Sequence, residues 1–148
     1  MQPLKSIHLL AGIAGLVIFV LTGQYMSIVL RGLAELPDGP RLLYRTSHLY
    51  LMWSALLNLV VGFYFVSAAQ RGPRIVQTVA SVALLAGLPL ILIGFFVESP
   101  ANNLSRQFCG IANYLALGGT LLHVVATASD KRPEKIEAAK IDVEKIDA

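Results

Sequence analysis

The chain has 148 residues, 55% of them hydrophobic and only 14% charged, with a formal net charge of +3. A mean hydropathy of +0.66 places it outside the soluble globular class and among membrane proteins. Its basic residues stand singly between apolar runs, so the pI near 9.2 reflects membrane topology and not a nucleic-acid surface.

A bilayer core of about 30 Å calls for about 20 apolar residues of helix. Four segments qualify, at about 7–30, 47–70, 74–98 and 105–129. The sequence therefore predicts an all-α integral membrane four-helix bundle over 1–129, followed by a short polar tail over 130–148. The first span follows Lys5; its apolar core is too long for a secretory signal, and TGQYMS after it lacks a small-residue cleavage site. Ala11, Gly12 and Gly15 are spaced for close helix packing, and Gln24 and Tyr25 bring polarity near the span's end. The link that follows contains Pro-Asp-Gly-Pro (37–40), a turn signal.

The second span opens with Arg45 and His48 already within reach of the bilayer, and Arg41, Arg45, His48, Met52 and Ala55 recur on one helical face. In the link QRGPR, Gly72 is expected to stop one helix and Pro73 to start the next. Span three carries Gly87-Leu88-Pro89, an expected kink, and closes on Glu98. Asn103 or Ser105 is the expected N-cap of span four, which opens with Arg106 and contains Asn113, Gly110, Gly118, Gly119 and His123. The lone Cys109 excludes an internal disulfide or a thiolate metal cluster. In the tail, Ile136, Ala139, Val143 and Ile146 share a helical face, which suits a short amphipathic helix or a solvated segment that frays.

Short links make up-down-up-down the simplest topology, with span one beside spans two and four. Arg71, Arg74, Lys131 and Arg132 then lie with both termini, opposite Arg31, Arg41, Arg45 and Arg106. The basic bias puts the termini on the cytoplasmic side, in a bacterial cytoplasmic (inner) membrane.

Two polar constellations result. At the non-cytoplasmic mouth, Gln24, Tyr25, Arg41, Arg45, His48, Glu98 and Arg106 reach similar depths, with Arg45 and Glu98 the natural ion pair. These residues line a ligand or ion site if they turn inward, and serve as snorkelling interfacial anchors if they turn outward. At the cytoplasmic end, His8 and His123 stand at similar depth, the ligand pair a b-type haem needs, with Lys5, Arg71 and Arg74 for its propionates. Asn58 and Asn113 read as interhelical glue.

No metalloprotease, serine-hydrolase or phosphate-loop motif is present in the sequence. The chain accordingly reads first as a non-enzymatic accessory or assembly subunit, partnered by the lipid bilayer and by other membrane subunits or further copies of itself. Two alternatives stand beside that reading: a bis-histidine haem b electron carrier, and a small-solute or lipid-binding transport protein with its mouth at Arg45, His48 and Glu98.

Overall fold

The computed structural model describes residues 3–101 and 105–130. They form four helices: α1 (Pro3–Ile28), α2 (Asp38–Tyr64), α3 (Arg71–Val97) and α4 (Gln107–Ser129), and no strand occurs among the described residues. All four are long and apolar enough to cross a membrane. Asn103, and the tail from residue 131 onward, lie outside the described residues.

The helix boundaries correct two turn expectations. Pro-Asp-Gly-Pro is not the turn: Pro37 is the N-cap and Asp38 to Pro40 form the first turn of α2. A proline is tolerated there because its missing N–H has no intrahelical acceptor in any case. The chain reverses earlier, at Arg31, Gly32 and Leu33, all left-handed with φ of 47°, 68° and 65°. Burial of Leu33 in a cluster with Tyr44, Leu51, Ile91 and Phe95 holds that unfavourable backbone in place.

The second correction concerns the link before α3. Helix α2 ends at Tyr64 rather than near 70, and Gly72 and Pro73 both lie in the first turn of α3. Phe65 and Ala68 turn inward and are buried. Gln77 anchors this link, accepting from the Ala68 N–H at 3.0 Å and donating to the Val66 carbonyl at 2.9 Å. Asp130, just past α4, accepts from the N–H groups of Ala69 and Gln70 at 3.0–3.1 Å. Further along, α3 stays helical through Pro89, whose ring is exposed.

Helix α1 packs chiefly on α2 and α3 chiefly on α4, while α2 against α3 joins the two pairs. Among the described residues α1 and α4 share no comparable packed stretch, contrary to the neighbours a square bundle would make of them. Small residues set the close approaches. A Cβ on Gly12 would lie 2.9 Å from the Leu59 nitrogen, and one on Gly62 2.9 Å from the Leu9 nitrogen. Gly119 is pressed likewise against the Ala80 carbonyl, whereas Gly110 and Gly118, expected to help, face open space. With lipid as apolar as leucine, such backbone approach is what helix association in a membrane rests on.

The inward stripe of α2 runs through Tyr44, Ser47, Leu51, Ala55, Asn58 and Gly62 at steps of three and four. It carries polar groups into the interior at two levels, one near each end of the helix.

Candidate functional site

At the level of Ser47 the polar groups serve the backbone. Glu98, only 8% exposed, extends from the end of α3 to the start of α4, where its carboxylate accepts from the N–H groups of Phe108 and Cys109. It thereby satisfies backbone donors at the start of α4; the residue at the cap position is Arg106, with φ 26° and no side-chain bond of its own to the helix start, where Ser105 or Asn103, the latter outside the described residues, was expected. A carboxylate at a helix N-terminus satisfies orphan donors and meets the positive end of the dipole. Arg106 donates from Nη2 to Ser47 Oγ at 3.0 Å and lays its guanidinium over Tyr50, 5.2 Å from the ring centre. Ser47 in turn lies 3.5 Å from both Ser99 Oγ and Cys109 Sγ.

The residues expected to share this mouth are thus divided. Arg45 is exposed and pairs with no described residue, so the Arg45–Glu98 ion pair is not formed. Gln24 is exposed as well. Tyr25 joins an aromatic cluster with Phe95 and Phe96 at 6.2 and 5.7 Å. Arg41 ties down the link before α2, donating to the Leu36 carbonyl at 2.9 Å with Asp38 3.4 Å away. His48 turns toward α1, stacking on Phe19 at 4.0 Å with Nδ1 3.0 Å from Thr22 Oγ1. What remains is a pocket of about 130 Å³ bordered by Glu98, Ser105 and Arg106.

At the level of Asn58 the polar groups serve side chains. His8 is fully buried, and its Nδ1 lies 2.8 Å from Asn58 Oδ1. Asn58 spends its amide on the Ser54 carbonyl at 2.9 Å and the Leu84 carbonyl at 3.5 Å, which leaves Oδ1 to accept. The proton of His8 is therefore on Nδ1, and Nε2 carries a bare lone pair. That Nε2 is buried and has no hydrogen-bond partner. Buried polar atoms without partners are rare enough in folded proteins that each asks for an explanation.

His123, on α4, stands 5.9 Å from His8 between ring centres, inclined at 75°. Its Nε2 lies 3.1 Å from Ser81 Oγ. Ser81 has no other described partner, and its bond to Nε2 leaves Nδ1 as the His123 ring nitrogen without one among the described residues. Each imidazole is thus oriented from the other helix of its own pair: His8 on α1 by Asn58 of α2, and His123 on α4 by Ser81 of α3. Phe65 closes the end of this space, 6.2 and 5.9 Å from the two rings. The sequence named both histidines and Asn58, but not Ser81, Phe65 or Gln77. Ser81 and Gln77 left a trace as polar residues at a spacing of four near the start of an apolar span.

The donor set at this level is a pair of imidazoles. No group of three or more His, Cys, Asp or Glu side chains among the described residues is placed to hold a bare metal ion. A haem asks only for two axial nitrogens. With metal–imidazole bonds of about 2 Å, two such nitrogens stand about 4 Å apart and their ring centres about 6 Å apart. His8 and His123 meet that separation, and His8 presents a free Nε2. His123 reaches iron through Nε2 only by giving up its bond to Ser81.

Beside His123 lies a cleft of about 550 Å³ between the last turns of α2, the first turns of α3 and the second half of α4. The chain matches no protein-family model, no curated protein and no solved structure, so the site stands on its own geometry.

Proposed function

We propose that this chain is a small integral protein of a bacterial cytoplasmic membrane that holds one b-type haem between His8 and His123 and passes single electrons. Its four helices run up-down-up-down with both termini cytoplasmic. The alternation of helix direction is supported within the α1–α2 pair by the opposite-running register of Gly12 with Leu59 and Gly62 with Leu9, and within the α3–α4 pair by that of Gly94 with Cys109 and Gly119 with Ala80.

The observation that carries the reading is the bare Nε2 of His8. It is buried, its tautomer is fixed by Asn58, and it sits beside a second imidazole on a helix that does not pack against its own. When bound, the haem supplies a one-electron iron couple. His8 is prepared to ligate through Nε2 while Asn58 holds Nδ1–H, the second-shell bond that orients an imidazole and raises its basicity. His123 would supply the second imidazole, and the bond its Nε2 makes with Ser81 would then be given up. Phe65 closes the space against water, and Lys5 and Arg71 lie near the same helix ends as the two histidines. The accessory-subunit reading has no geometric feature of its own, because exposed faces such as Leu10, Ile13 and Val17 suit lipid and protein alike.

The test is the absorption spectrum of protein purified from haem-supplemented cells. The expected result is a Soret band that is lost in His8→Ala and in His123→Ala; a colourless wild-type preparation overturns the reading.

A further inference from the structure

We infer that the cleft beside His123 binds the head of a neutral prenylquinone that enters from the bilayer. The inference rests on the cavity and its lining, not on the haem. At about 550 Å³ the cleft lies within the size range of small-molecule sites. Its outer wall is made of side chains that continue the membrane-facing surface: Val60, Tyr64 and Val124 are 54%, 82% and 62% exposed. A ligand reaching it must therefore travel in lipid.

The lining selects among lipid-soluble molecules. It contains no charged side chain, so nothing there compensates the phosphate of a phospholipid head, and a charged group would enter unpaired. Polar groups are few: the phenol of Tyr64 on α2, and Gln77, Thr120, His123 and Thr127 on α3 and α4. Gln77 is engaged at both ends of its amide by the 65–70 link, and the hydroxyls of Thr120 and Thr127 donate to the carbonyls of Ala116 and His123. The hydrogen-bonding groups left over are the phenol of Tyr64 and Nδ1 of His123, whose Nε2 is held by Ser81. One free phenol donor and one free imidazole nitrogen in an apolar cleft, beside the aromatic ring of Phe65, suit a flat head with carbonyl acceptors and a hydrocarbon tail left in the bilayer. A quinone ring has that chemistry; a saturated acyl chain uses neither the donor nor the rings.

The experiment uses the full chain in nanodiscs of phosphatidylcholine with decylubiquinone as probe. Val124→Trp fills the cleft from an exposed position, and Val125→Trp, 55% exposed and outside the lining, adds the same bulk to the same helix. Wild type and Val125→Trp are expected to retain the probe after lipid washes, while Val124→Trp loses at least tenfold. Equal retention by all three, or displacement of the probe by excess phospholipid alone, overturns the inference. The Soret band is recorded on the same samples: its absence with the retention pattern intact removes the haem and leaves the quinone site standing.

Discussion

The two ends of this bundle bury similar side chains for different purposes. Around Ser47, a carboxylate and a guanidinium are placed so that charge reaches backbone and hydroxyl groups: Glu98 closes the start of α4, and Arg106 braces it against α2. Around Asn58, an amide and a hydroxyl are placed so that two imidazoles are oriented, and one nitrogen is left with nothing to bind. The guanidinium nitrogens left over at the first end, Nε of Arg41 and Arg106, belong to groups that each donate from Nη2. The lone pair of His8 is that ring's only acceptor. On the proposed reading, charge is no guide to function in this chain: the charged end braces the helices, and the proposed haem falls at the neutral end.

The comparison is broken most severely at Asn58. Asn58→Leu keeps the volume but removes the acceptor that fixes the His8 proton on Nδ1. Second-shell losses of this kind typically cost 10–100-fold in metal affinity. Haem titration of the apoprotein is expected to show a fall of that size, with a loss of stability as well, because the carbonyl of Leu84 loses a donor. Unchanged haem affinity would mean that the tautomer is set elsewhere. At the other end, Glu98→Gln replaces two carboxylate acceptors by one amide oxygen and removes the charge at the start of α4. A lost cap costs about 1 kcal/mol, and the expected readout is thermal unfolding in detergent at lower temperature with the Soret band unmoved. A changed spectrum in that variant would tie the two ends together and defeat the division drawn between them.

How much of this was legible in sequence depends on whether a feature is local. Four apolar runs of bilayer length declare four helices whatever their packing. His8 and His123 share a depth because each lies near a helix end on the same side, which residue counting reveals. Pro-Asp-Gly-Pro misled because proline before a turn and proline in the first turn of a helix look alike in sequence; the choice fell to Leu33, whose burial draws the reversal to Arg31–Leu33. Glu98 was read as a partner for Arg45, since opposite charges at one depth attract. Its true partners are backbone N–H groups ten and eleven residues onward, a relation that exists only once α3 and α4 have folded back on each other.

Arg45 shows the same limit in a single helix. Its periodic series Arg41, Arg45, His48, Met52 and Ala55 is real, but the buried stripe runs through Tyr44, Ser47, Leu51, Ala55 and Asn58, so the two share only their last turns. One residue along an α-helix is about 100° of rotation, which turns Arg45 out of the interior that Tyr44 occupies. Helical spacing therefore reports which residues share a face, and only the neighbouring helices decide which face is inside. The smallest expected effect follows from this placement. Arg45→Ala removes an exposed side chain with no described partner, and should change thermal stability by no more than about 0.5 kcal/mol and the Soret band not at all. Were Arg45→Ala instead to destabilise the protein as much as Glu98→Gln, the charge at the mouth would be acting across the helix pair. Arg45 would then belong with Arg106 among the residues that hold the start of α4.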